Sequence, residues 1–161
     1  MKTKIILSML ISFVSAEAFS QLDTVVYDAY SVGQKTVNNK PVYDVNGKTV
    51  TKAQWDQALK HDNDAWKALG NCKPCWLKDI DTKTLFVTEG EFYMDCCIGV
   101  YIEKYPSGKT KVSGQYKKPD TTNYKKWCKQ GKRKKEGKWV YYTETGIIEK
   151  TEQYKDDVLI K

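Results

Sequence analysis

Gly99-Val100-Tyr101-Ile102-Glu103-Lys104-Tyr105-Pro106-Ser107-Gly108-Lys109-Thr110-Lys111-Val112-Ser113-Gly114-Gln115-Tyr116-Lys117 is matched, at an offset of 38, by Gly137-Lys138-Trp139-Val140-Tyr141-Tyr142-Thr143-Glu144-Thr145-Gly146-Ile147-Ile148-Glu149-Lys150-Thr151-Glu152-Gln153-Tyr154-Lys155. Gly99 aligns with Gly137, Gly108 with Gly146, and Gln115-Tyr116-Lys117 with Gln153-Tyr154-Lys155, all without a gap. An internal repeat of this length is one supersecondary unit used more than once. Each copy reads as strand, tight glycine turn, strand, because Gly108 and Gly146 supply the positive φ that a hairpin turn demands. A fainter copy lies 24 residues before the second, where Leu77 aligns with Tyr101 and Gly90-Glu91-Phe92 with Gly114-Gln115-Tyr116. The two offsets differ by 14, so a segment of about that length, roughly Lys118 to Lys132, is inserted between the second and third copies. A single hairpin is not stable in water, but three in a row share a buried face. The aromatic positions Tyr101, Tyr116, Trp139 and Tyr154 are expected to line up in rows across the meander.

Outward from the repeats, the preceding residues divide differently. Asp23 to Ser31 reads as a first short strand, and Pro41–Val45, Asn46-Gly47 and Lys48–Val50 as a hairpin, since both turn positions of a two-residue hairpin loop need positive φ. Thr51-Lys52-Ala53-Gln54 then opens a helix with a capping box. Trp55, Ala58, Leu59, Asp62, Trp66 and Leu69 fall at helical spacing and give it one largely apolar face, and Gly70 is placed to end it in the left-handed conformation. The fold class is therefore mainly β, α+β overall: an antiparallel hairpin-repeat meander of about six strands preceded by a hairpin and one amphipathic helix.

The N-terminus carries Lys2 and Lys4, then the mostly apolar run Ile5 to Val14, then Ala18-Phe19-Ser20 with small residues at the two positions before a cleavage point that exposes Gln21; Val14-Ser15-Ala16, exposing Glu17, is a second candidate. That is the layout of a signal peptide over residues 1–20, and the run is too short to span a membrane. No second apolar span follows. The chain divides into the signal peptide at 1–20, a hairpin-plus-helix segment at 21–71 and a cysteine-bearing hairpin-repeat domain at 72–161. The expected location is outside the cytoplasm: periplasm, cell surface or medium.

The repeats resemble the bacterial MORN-variant repeat family, often labelled as the antitoxin component of a toxin–antitoxin system. The resemblance rests on Gly99-Val100-Tyr101, Tyr105-Pro106-Ser107-Gly108-Lys109 and Gly114-Gln115-Tyr116, and on Gly137-Lys138-Trp139, Tyr142-Thr143-Glu144-Thr145-Gly146 and Gln153-Tyr154. It departs from the family pattern at Ile147, where a Lys is usual, and at Glu152, where a Gly is usual. It covers about residues 75–161 and implies an antiparallel repeat sheet used for contacts, with no catalytic residue.

An exported chain meets an oxidising compartment, so the five cysteines Cys72, Cys75, Cys96, Cys97 and Cys128 are disulfide candidates with one left over. The repeat register puts all five on connections at one end of the meander. Positions 72 and 96 are repeat equivalents, two strand spacings or about 9.6 Å apart, beyond the roughly 7 Å Cα reach of a disulfide. The pairing stays open. The leading expectation is one bond from the Cys72/Cys75 pair to the Cys96/Cys97 pair and another from Cys128. Two other chemistries compete at this rim. Cys72-Lys73-Pro74-Cys75 has the spacing of a redox motif and of a thiolate metal ligand pair, yet no βαβ pattern surrounds it, and the second pair is adjacent rather than spaced.

The chain has 27 Lys and Arg against 20 Asp and Glu, a formal charge of +7. Lys125 to Lys138 is a basic run with Tyr124 just before it and Trp127 within it, and Lys132, Arg133, Lys134 and Lys135 are its polyanion-binding candidates, for an acidic surface polysaccharide or lipid head group. Export argues against nucleic acid. The lone histidine, His61, beside Asp62 and Asp64, reads as a solvated surface residue. No Ser/His/Asp set, phosphate-cradling loop or His-rich metal motif stands in the chain. The expectation is therefore a non-enzymatic interaction or envelope-structural protein without cofactor, metal site or catalytic residue, contacting a protein or envelope component. The alternative is a thiol–disulfide or metal-handling protein acting through Cys72 and Cys75.

Overall fold

The computed structural model describes residues 22–119, 123–130 and 133–160. The expected signal peptide at 1–20 lies outside the described residues, as does Lys132. The elements run β1 (Thr24–Tyr27), β2 (Val32–Val37), β3 (Lys40–Val45), β4 (Lys48–Val50), α1 (Lys52–Gly70), β5 (Cys75–Ile80), β6 (Val87–Tyr93), β7 (Cys96–Lys104), β8 (Thr110–Tyr116), α2 (Tyr124–Lys129), β9 (Lys135–Tyr142), β10 (Ile148–Lys155) and β11 (Val158–Leu159). The protein is mainly β, as the sequence predicts. An eight-stranded sheet has the order β1-β5-β6-β7-β8-β9-β10-β11, and a three-stranded sheet the order β2-β3-β4.

The three hairpins β5–β6, β7–β8 and β9–β10 occupy the three repeat copies, and each pairs antiparallel with the next. The repeat extends to the turns. Gly108 N–H donates to the Tyr105 carbonyl at 2.8 Å and Gly146 N–H to the Thr143 carbonyl at 2.9 Å. Tyr105 N–H donates to Lys109 O and Thr143 N–H to Ile147 O, so the same bonds recur at the same offset. Both glycines are left-handed, at φ 82° and 93°. In the first copy the closing bond runs from Asp81 N–H to Phe86 O, one residue longer, and Leu85 takes the left-handed conformation.

The segment before the repeats departs from expectation in four places. β2 is an additional strand, closed onto β3 through Asn38 and Asn39, both at positive φ. β1 does not stay with the N-terminal hairpin; it pairs parallel with β5, Val25 opposite Leu77, so residues 21–71 contribute an edge strand to the repeat sheet. α1 starts with the predicted capping box, Thr51 with Gln54. However, Gly70 stays inside it and Asn71 caps it at φ −87° with three backbone carbonyls in reach of its N–H. His61 is not simply solvated: its Nε2 lies 2.9 Å from Asp28 Oδ1 and its ring 4.7 Å from that of Tyr30, tying α1 to the β1–β2 connection.

The helix face packs as its spacing predicts on Ala58 and Leu69, with Ala65 added. Trp55 leans on Tyr43 of β3 and Trp66 on Tyr27 of β1, though Trp66 stays 57% exposed. The core joins Leu69, Cys72, Cys75, Leu77, Phe92 and Cys97, flanked by Val25, Tyr27, Tyr101 and Tyr116. None of the helices among the described residues is long and apolar enough to cross a membrane.

Candidate functional site

Strand alternation decides what the cysteines do. Register sets Cys75 opposite Phe92 and Phe92 opposite Cys97, while Cys96 stands opposite Tyr93. Adjacent residues of a strand point to opposite faces. Cys97 therefore joins Cys72 and Cys75 in the core, and Cys96 points to the other face, where α2 brings Cys128. The bonds are Cys72–Cys75, with Cα atoms 5.0 Å apart, and Cys96–Cys128, at 5.8 Å. All five sulfurs gather at one end of the sheet, as the repeat register predicts. The expected bond between the two pairs does not form, and Cys97 is a buried free thiol rather than a disulfide partner. The separation across β5–β6–β7 is the physical reason. Cys128 does take a bond of its own.

Cys72 and Cys75 are 0% and 1% exposed, and Cys72 Sγ sits 3.4 Å from the Phe92 carbonyl. The Met94 N–H donates to the Cys72 carbonyl, clamping this corner to the β6–β7 turn. The Cys-x-x-Cys pair follows the C-terminal end of α1, where the negative end of the helix dipole disfavours a thiolate; a low-pKa thiol sits instead at a helix N-terminus. Among the described residues no group of three or more His, Cys, Asp and Glu is placed to hold a metal ion.

The predicted aromatic row is present. The Tyr101 ring is 5.6 Å from Tyr116 and 5.7 Å from Trp139, Tyr116 is 5.1 Å from Trp139, and Trp139 is 6.5 Å from Tyr154. Trp139 fills its centre at 2% exposure and donates Nε1–H to Gln115 O at 3.2 Å. The tyrosines around it are half-buried. Gly114 makes this possible, because a Cβ there would drive into the Trp139 ring. At the far end Lys150 and the Tyr154 hydroxyl both donate to Glu152, at 2.9 and 3.0 Å. Lys150 first, with the tyrosine hydroxyls, holds the Glu152 carboxyl down at about 2.

The basic candidates separate. Lys135 is half-buried among the rings. Its Nζ lies 4.5 Å from the Trp139 ring and 4.6 Å from the Tyr154 ring, and donates to the Tyr141 hydroxyl at 2.9 Å. Lys134 faces Asp156 at 3.7 Å. Arg133 is exposed and lines a groove of about 390 Å³ with Tyr93, Met94, Asp95, Lys125 and Lys129, beside the Cys96–Cys128 bond. Sequence reasoning weighed Lys125 and Lys129 only as part of a charged run. Their i, i+4 spacing on a helix was the signal that they act together.

Burial pushes the Cys97 thiol up to about 12 from 9.0, and burial likewise pushes the Tyr116 hydroxyl up to about 12 from 10.0. The raised group favours the folded state fully below its unfolded value. Above about pH 9 the unfolded thiol ionises while the folded one does not, so stability falls as pH rises towards 12. The expected slope from Cys97 alone is about 1.4 kcal/mol per pH unit. Urea unfolding between pH 8 and 11 reads it. Cys97→Ala, which has no titrating thiol, should reduce the slope between about pH 9 and 10, below the range in which Tyr116 adds its own, and an unchanged slope there would refute the assignment.

Comparison of the chain with protein-family models, with curated proteins and with solved structures finds no match in any of the three.

Proposed function

We propose that this chain is exported and acts as a non-enzymatic interaction or envelope-structural protein, with the MORN-like repeat sheet as its contact surface. The observation that carries the proposal is the ring row of the repeats: Tyr101, Tyr116, Tyr141 and Tyr154 stay half-buried around a sealed Trp139. Such rings combine apolar area with a polar tip and are the side chains enriched at protein interfaces. Their exposure is ordered by Lys135 and by the Lys150–Glu152–Tyr154 set, so the surface is preorganised rather than loose. Two disulfides, one anchoring the inserted segment to β7, fit an oxidising compartment. The sealed Cys72–Cys75 bond after a helix C-terminus supports a structural clamp more than exchange chemistry.

The test places a photo-crosslinking phenylalanine analogue at Tyr141 or Tyr154, on the ring face, and at Lys138 or Lys155, on the opposite face, in the exporting host. Adducts at 141 and 154 and none at 138 and 155 are expected. Equal adducts on both faces, or none on the ring face, would overturn the contact-surface reading. Mass spectrometry of the purified mature chain checks export through a new N-terminus at Gln21 or Glu17.

A further inference from the structure

Six lysines in or beside the large sheet are neutralised by carboxylates. Lys104 pairs with Glu89, Lys111 with Glu103, Lys117 with Asp156, Lys118 with Glu91, Lys134 with Asp156 and Lys150 with Glu152. The groove beside the Cys96–Cys128 bond is different. Lys125, Lys129 and Arg133 converge on it, and no carboxylate among the described residues pairs with any of them, although Asp95 lines the same groove. Lys125 and Lys129 are one helical turn apart, about 6 Å along the axis, and like charges so placed repel. They stand on a helix of only six residues with none of them buried. A helix that short does not hold itself together in water.

Among the described residues, a disulfide and a ring contact tie α2 to the sheet. The Cys96–Cys128 bond joins it to the start of β7, and the Tyr124 ring stacks on Tyr93 of β6 at 5.7 Å. One wall of the groove is therefore α2, the other is the β6–β7 turn with Tyr93 and Met94, and the disulfide connects them. The volume, about 390 Å³, falls in the usual range of small-ligand clefts. Its chemistry is an apolar wall of Tyr93 and Met94 facing three cations, with Asp95 as the one carboxylate of the lining.

We propose that this groove binds an acidic glycan, with a sugar ring laid against the Tyr93 and Met94 wall and its carboxylate or sulfate groups on Lys125, Lys129 and Arg133. Arg133 takes such a group through a two-pronged guanidinium contact, and the lysines act as point charges. A membrane surface fits less well. Interfacial helices present their aromatic face outward to lipid, whereas the Tyr124 ring of α2 is stacked on the sheet and Trp127 is half-buried. An acidic peptide fits less well because the groove offers no open strand edge or row of apolar pockets. The site is separate from the ring face and does not depend on the contact-surface reading above. It also makes glycan binding depend on oxidation, since the covalent link between the two walls is a disulfide.

The test measures binding of the mature chain to polygalacturonate and heparin oligosaccharides by calorimetry at two salt concentrations. The groove variant K125Q/K129Q/R133Q is compared with K83Q/K138Q/K155Q, which removes the same charge elsewhere. The groove variant is expected to lose about tenfold or more in affinity, and the control to stay within about twofold. C96S/C128S keeps every cation and is expected to lose binding by a similar factor. Equal losses in the two charge variants would overturn the site, and so would no binding of either oligosaccharide by the parent. Binding of phosphatidylglycerol vesicles or polyglutamate as tight as that of the sugars would overturn the glycan assignment. Parent-like binding by C96S/C128S would remove the disulfide dependence.

Discussion

Trp139→Ala is expected to destabilise the fold by about 3–5 kcal/mol, the usual cost of deleting a large buried aromatic side chain. For a domain whose whole stability is about 5–15 kcal/mol, that moves the protein close to unfolding at growth temperature. The residue touches the rings of Tyr101, Tyr116 and Tyr154, and its loss also removes the indole hydrogen bond to the Gln115 carbonyl. Gly114→Ala should cost about 1–3 kcal/mol by overpacking, because the added methyl enters the space of the indole. The two changes share one volume, so they are expected not to add. With the ring gone the methyl has room, and the double variant should be no less stable than Trp139→Ala alone. Guanidinium unfolding of the four proteins gives the coupling term. Simple additivity would mean that Gly114 is conserved between copies for a reason other than the ring arriving from the next hairpin.

That packing rule also accounts for a departure in the third copy. Gly90 stands opposite Tyr101, and a Cβ there would strike the Val100 carbonyl; Gly114 lies under Trp139. Glu152 holds the equivalent place in β10, where β11 covers only Tyr154 and Lys155 and no further ring arrives among the described residues. A side chain is then free to stand there and bond Lys150 and Tyr154.

The sequence makes the repeats legible because their signals are local. Gly108 and Gly146 force the same turn, and the ring positions recur in step with the strands. What it leaves out is non-local or chemically plain. β2 carries valine only at Val32 and Val37, with Gly33, Gln34, Lys35 and Thr36 between them, so neither alternation nor an apolar run marks it. β1 reads correctly as a strand, but nothing within it says that its partner is β5, some fifty residues on. Gly70 satisfies the chemistry of a helix stop, yet the chain continues one residue further because Asn71 satisfies the last carbonyls in right-handed geometry. In the candidate site the common rim of the cysteines follows from the repeat offset. Their pairing does not, because it depends on which face each strand residue takes and on where an inserted helix folds back. Lys135 shows the same limit: a basic run in the sequence becomes one cation under three rings and one beside Asp156.

Removing the Cys96–Cys128 bond is expected to have the largest effect among the two bridges, and it can be checked without altering the core. The bond closes a loop with a sequence separation of 32, against 3 for Cys72–Cys75. Loop-closure entropy then assigns it about 4 kcal/mol, against about 2 kcal/mol for the short loop. Access favours the same bond as the first to be reduced, since Cys128 is half-buried while Cys72 and Cys75 are sealed. Mild phosphine followed by alkylation should add two groups, on Cys96 and Cys128, before any reach Cys72 or Cys75. Cys97 should stay unlabelled until the chain is unfolded, because its thiol is buried and held protonated at neutral pH. It should also fail to replace Cys96 as the partner of Cys128, since it faces the core while Cys128 approaches from the opposite face. A Cys97–Cys128 bond in peptide maps of the partly reduced protein would mean that β7 can turn over, and with it every assignment made from its register.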